Sequence, residues 1–106
     1  MSKLSEWESF TEVVFELGAS EAYLEYYKDV KLLHKPKPSE SDFRKKAILF
    51  SSKRASHEEQ HLADHKEKFH EYFELAKGRL ERKEPEKGLE MIIQKWHDKL
   101  KKEMSK

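Results

Sequence analysis

The chain has 106 residues, 41% charged and 36% hydrophobic, with a formal net charge of +1. That length supports one domain with a modest core, and the hydrophobic share, below the usual ~45–50%, leaves much of every helix facing water. With no cysteine, disulfides and thiolate metal sites are excluded, and no run of about 18 apolar residues is present to span a membrane.

Twelve aromatic residues, most at periodic positions, argue for a formed core rather than disorder. From the N-terminus, Ser5 and Glu8 read as a capping box, followed by Trp7, Phe10, Val13, Val14 and Leu17 on one face and Gly18 placed to stop the helix. The spacing predicts a helix over residues 6–17. Ser20 is then a cap for a second helix with Tyr23, Tyr26, Tyr27, Val30 and Leu33, ended near residue 34 by Lys-Pro-Lys-Pro. So short a link predicts an antiparallel hairpin over residues 6–34. Phe15 lies opposite the Trp7 face, and Leu24 and Leu32 project away from the tyrosine face, so this hairpin is apolar on a second side. Those three residues are the candidate partner-binding positions.

Residues 35–41, with Pro36, Pro38, Ser39 and Ser41, read as an internal linker inside a single helical domain of residues 1–106. Asp42 opens a short helix with Phe43, Ala47 and Phe50 on one side and Ile48 and Leu49 off that side, a pattern expected of an enclosed helix. Ser51, Ser52 and Ser56 weaken the periodicity, although one bent helix over residues 42–82 is an alternative. Ser56 and Glu59 form another Ser-x-x-Glu box ahead of Leu62, His65, Phe69, Tyr72, Phe73, Ala76 and Leu80, predicting a long helix over residues 57–82. Such a helix spans about 40 Å, against a diameter near 34 Å for a compact chain of this length, so it is expected to overhang the body or be covered by a second copy. Pro85 suits the first turn of a last helix bearing Leu89, Ile92, Ile93, Trp96, Leu100 and Met104, and its terminal lysines suit the negative end of the helix dipole. No strand-like alternation occurs. The expected fold is all-α: a small bundle of four to five helices, built as two packed helical hairpins.

Leu75, Ala76, Gly88 and Ile92 sit at spacings similar to one tetratricopeptide helix pair, but without neighbouring repeats a close helix crossing is the simpler inference.

Charge is unevenly laid out. Residues 1–33 carry net −4, residues 34–56 net +5, and residues 57–106 balance. Within the basic segment Arg44, Lys45, Lys46, Lys53 and Arg54 could meet phosphates, making nucleic-acid binding an alternative function, or pair with the acidic first third inside the fold. His57, His61 and His65 recur at every fourth residue, a spacing at which two imidazoles can bind one transition metal, and give a second alternative. On a helical wheel the three point in different directions, so no metal or other cofactor is expected. The Glu-x-x-His pairs Glu58/His61 and Glu67/His70 share the spacing of ferritin-like diiron bundles, but both fall on one predicted helix and point differently.

There is no Gly-x-Ser-x-Gly elbow, phosphate-cradling glycine loop or His-Glu-x-x-His motif, so no enzyme is expected. The first residues lack the apolar stretch of a secretory signal, and the cytoplasm is the expected compartment. The function expected from surplus apolar positions in a chain without a catalytic set is a protein–protein interaction module. That class covers an adaptor, inhibitor or small regulatory subunit, and a homodimer is compatible with it.

Overall fold

The computed structural model describes residues 3–59, 66–84 and 87–104, with side chains described for 7–58, 67–84 and 88–104. Four helices make up almost all of it: α1 Lys3–Leu33, α2 Glu40–Glu59, α3 Lys66–Glu81 and α4 Lys87–Met104, with no strand among the described residues. The all-α bundle expected from periodicity is therefore the architecture.

The first expected hairpin is a single helix. Residues 3–33 run without a break through Gly18, and at about 1.5 Å per residue α1 accounts for the 45 Å long axis of a body measuring 45 × 27 × 21 Å. No proline interrupts this stretch, and one interior glycine costs a helix at most about 1 kcal/mol. Ser20, expected to cap a second helix, instead turns its hydroxyl back onto the Leu17 carbonyl at 2.9 Å, as Thr11 does onto Trp7 at 2.7 Å. Gly18 serves a crossing, not a stop: a Cβ built there would lie 2.0 Å from Ser51 Oγ and 2.6 Å from the Ser51 backbone nitrogen. Ala19, Ala22, Ala47 and Ala55 are buried with it, so α1 and α2 meet along small residues.

The hairpin that does form is α1 with α2. Gly18 faces Ser51, the Tyr26 hydroxyl donates to the Asp42 carbonyl at 3.3 Å, and Lys46 reaches Glu25, a pairing that requires antiparallel helices. The turn is set by chemistry at both ends. His34 adopts a left-handed φ of 54° after the last turn of α1, and the Lys35 amide donates to the Asp29 carbonyl. Ser39 caps α2, its hydroxyl accepting the Asp42 amide at 3.0 Å. This helix starts at Glu40, ahead of the expected Asp42, and passes through Ser51, Ser52 and Ser56 to Glu59. The Ser56 hydroxyl bonds the Ser52 carbonyl, so Ser56 lies inside α2 and does not open a new helix. The helix expected over 57–82 therefore has its first residues in α2 and residues 66–81 in α3, while its middle lies outside the described residues.

α3 and α4 do not form the second expected hairpin either; both dock on α1 and α2 and scarcely meet each other. Phe73 stacks on Phe15 at 5.1 Å and Phe69 meets Phe10 edge-on at 6.1 Å, which fixes α3 to α1. Trp96 packs on Tyr23 at 5.5 Å and its indole N–H donates to Glu16, which fixes α4. Gly88 comes close to Glu12 of α1 and not to α3 among the described residues, and the tightest backbone crossing is that of Gly18 with Ser51.

α3 ends in a Schellman turn with Lys83 at φ 60°, where Glu84 donates to the Arg79 carbonyl and Lys83 to that of Leu80. Beside it Arg44 clamps three helices. Its guanidinium holds both oxygens of Glu90, at 2.7 and 2.5 Å, and the Leu80 carbonyl at 3.1 Å. Glu90 pushes the Arg44 pKa still higher, and the Arg44 side chain is only 10% exposed.

Candidate functional site

On a wheel of about 100° per residue, the buried residues of α1, namely Trp7, Thr11, Val14, Phe15, Gly18, Ala19, Ala22 and Tyr23, occupy about half the circumference. Val13, Leu17 and Leu24 fall within roughly 40° of one another on the far side, with Phe10 at its edge against Phe69. Val13 is 57% exposed and Leu24 61%. Of the candidate partner-binding residues, Phe15 is thus misplaced by the sequence reading: it is fully buried and supplies the core stack with Phe73. Leu24 and Leu32 are on the surface, Leu32 at 68%, joined by Leu33 at the free end of α1. The inward face is the one that carries small residues able to meet α2, which hydrophobicity alone does not reveal.

Beside Leu24 the α1–α2 pair leaves a groove of about 780 Å³ with Leu24, Leu33 and Phe50 as its apolar lining. Glu21, Glu25 and Asp29 line one side at one-turn spacing, and Lys28 and Lys53 complete the rim. Lys53 sits 5.6 Å over the Phe50 ring, and Lys46 bridges Phe50 and Glu25. Apolar and charged side chains thus share the lining of this groove. Leu33 and Phe50 are the apolar lining residues that sequence reasoning missed; periodicity groups Phe50 with Phe43 and Ala47 on one side of α2.

The basic segment is dispersed by the fold. Arg44 is committed to Glu90, Arg54 lies 3.4 Å from Glu58, and Lys46 lies over Tyr26 and Phe50 and against Glu25. Lys45 and Lys53 remain without a carboxylate among the described residues. His57 is exposed near the end of α2, while His61 and His65 lie outside the described residues. Among the described residues no group of three His, Asp or Glu side chains is arranged to hold a metal ion.

One buried titratable group was not singled out by pattern. His97 is 4% exposed on α4, packed at 5.3 Å against Phe43, and its Nδ1 has no hydrogen-bond partner among the described atoms. Burial pushes its pKa below the ordinary value and Lys101 adds to this, while Glu40, Asp98 and the Pro38 backbone act in the opposite sense. It is enclosed by packed side chains and is a core histidine.

Comparison with protein-family models, with curated proteins and with solved structures finds no match to this chain. No helix among the described residues is long and apolar enough to cross a membrane.

Proposed function

We propose that the chain is a non-enzymatic protein–protein interaction module of the cytoplasm, an adaptor, inhibitor or small regulatory subunit. It receives a helix with an apolar face along the outward side of α1 and the groove beside Phe50. The observation that carries this reading is the exposure of Leu24 and Leu32, 61% and 68%, in a molecule whose core is already filled by Phe15, Phe43, Phe69 and Phe73. A helix presenting leucines at i, i+3/i+4 and i+7 fits the groove, and basic residues flanking them would meet Glu21 and Asp29.

The test is a pull-down with mass spectrometry, run in parallel with wild-type bait and the Leu24→Asp/Leu32→Asp double variant. Both residues are exposed, so circular dichroism should give the two baits the same melting curve. A partner retained by the wild type, lost by the variant, and cross-linked near Lys28 or Lys53 supports the reading; light scattering decides whether that partner is a second copy. Equal retention by the two baits overturns it.

A further inference from the structure

A second cleft, separate from the α1 groove, opens between α2 and α3. It measures about 500 Å³, inside the range of about 300–1,000 Å³ typical of small-molecule sites. Its floor is Ile48, 5% exposed, and Leu49, 49% exposed, with Ser41 and Ser52 about three turns apart along the same helix α2. Lys45 stands on that helix; Lys77 and Lys83 come from α3 and its closing turn, and Glu81 is the one carboxylate in the lining. Arg44 adds only its side-chain stem, because its charge is taken by Glu90. Lys77 lies 3.9 Å from Glu74, beyond hydrogen-bond length, and Lys45 and Lys83 have no ion pair among the described residues. Lys83 is held at the mouth by the left-handed turn that ends α3. Three lysines therefore border an apolar floor, with Glu81 in the lining and Glu74 beside Lys77 as the opposing charges, an excess of positive charge that disfavours cations and leaves a purely apolar ligand with no answer to the lysines.

We propose that this cleft binds a small amphipathic anion, an alkyl carboxylate or alkyl phosphate. Its chain lies on Ile48 and Leu49, and its oxyanion is held by Lys45, Lys77 and Lys83. Ser41, one turn before Lys45 on α2, brings one hydroxyl to the same part of the cleft as a further donor. Both parts are required: the floor selects against inorganic anions, and the lysines select against alcohols and amines of equal chain length.

The experiment is an amide NMR titration of the full chain with decanoate, decyl phosphate, decanol, decylamine and inorganic phosphate. Saturable shifts confined to residues 41–52 and 77–83 are expected with decanoate or decyl phosphate, and the tighter of the two names the head group. The Lys45→Glu/Lys83→Glu variant should weaken that binding at least about tenfold, the modest limit for reversing two unit charges beside an oxyanion in a wet cleft. Leu49→Asp should abolish it. Lys45, Leu49 and Lys83 are exposed, so unchanged shifts elsewhere will show that the fold is intact. Decanol or decylamine binding as tightly as decanoate overturns the proposal, as does saturation by inorganic phosphate alone. Shifts centred on Leu24, Leu33 and Phe50, or no saturation with either anion, also overturn it.

Discussion

Replacing each of the three glycines with alanine in turn separates helix propensity from packing. In a helix interior the exchange gains up to about 1 kcal/mol from propensity wherever the methyl group fits. At Gly18 it does not fit: the new Cβ would sit 2.0 Å from Ser51 Oγ, 2.6 Å from Ser51 N and 2.8 Å from Ser51 Cα. Restoring ordinary contact of about 3.4 Å or more requires α2 to withdraw by nearly an ångström, because two of the three obstacles are backbone. Withdrawal opens the seam of Ala19, Ala22, Ala47 and Ala55. Overpacking of this kind costs about 1–3 kcal/mol, and backbone obstruction places it near the top; after the propensity gain, a net loss of about 2 kcal/mol is expected. For a domain of this size that lowers the melting temperature by about 8–16 °C. Gly78→Ala meets only the end of the flexible Arg82 side chain, at 3.1 Å, and is expected to stabilise by about 0.5–1 kcal/mol. Gly88→Ala meets the Glu12 carboxylate, an exposed and movable group, and should be near neutral. Ser51→Gly added to Gly18→Ala removes the hydroxyl clash but not the backbone ones, so the rescue should be partial. Thermal and urea unfolding followed by circular dichroism measures all four. A Gly18→Ala variant as stable as wild type, or one that shifts in the same direction as Gly78→Ala, would refute the crossing.

The Arg44 clamp is expected to matter through its orphans: Arg44→Ala strands Glu90 and the Leu80 carbonyl and should cost about 2–4 kcal/mol in urea unfolding, whereas Arg44→Met/Glu90→Leu should lose far less. If the single and double variants are equally unstable, the loss is one of packing and not of charge. Lys83→Gly relieves a left-handed residue, normally strained by about 1–2 kcal/mol, and should raise stability by ~0.5–1 kcal/mol after the added chain entropy; no gain would count against the Schellman turn. His97, with its pKa depressed in the folded state, binds its proton more readily when unfolded. Its contribution is therefore intact above the unfolded pKa near 6.5 and lost as pH falls from there through the folded value. Stability measured from pH 7.5 down to 5 should decline less steeply in His97→Leu than in wild type, and parallel curves would rule this out.

Much of the fold was legible where periodicity and punctuation agree. Phe69, Phe73, Ala76 and Leu80, and later Leu89, Ile93 and Leu100, are buried at the helical spacing that predicts them, and Pro36 and Pro38 fall between α1 and α2. The errors arose where one residue type serves two physical purposes. Gly18 reads as a stop because glycine is common at helix ends; it is needed here because glycine is also the only residue thin enough for the crossing. Ser20 and Ser56 read as caps, yet both hydroxyls find carbonyls one turn back and leave the helix unbroken. Arg44 reads as part of a basic patch because its partner Glu90 is 46 residues away, a pairing no local pattern encodes. Of the candidate surface, Leu24 and Leu32 were legible from their offset to the tyrosines, while Phe50 became part of it only through the angle at which α2 meets α1.

The inversion of α1 links packing to the proposed role. When two helices meet through Gly18 and Ser51, the contact itself is taken up by glycine, alanine and serine, and the bulk of the core comes from Phe15 together with Phe43 of α2 and Phe69 and Phe73 of α3. The helix then needs no large aliphatic residues on its opposite side for the monomer to fold. Yet Val13, Leu17 and Leu24 stand there, in a chain where 41% of residues are charged and lysine or glutamate would serve a solvated helix better. Covering a leucine side chain is worth about 1.5–3 kcal/mol, so a partner that buries even two of them gains a driving force comparable to a large part of a small domain's stability. The monomer's own core is complete without these residues, and on the proposed reading that driving force serves association.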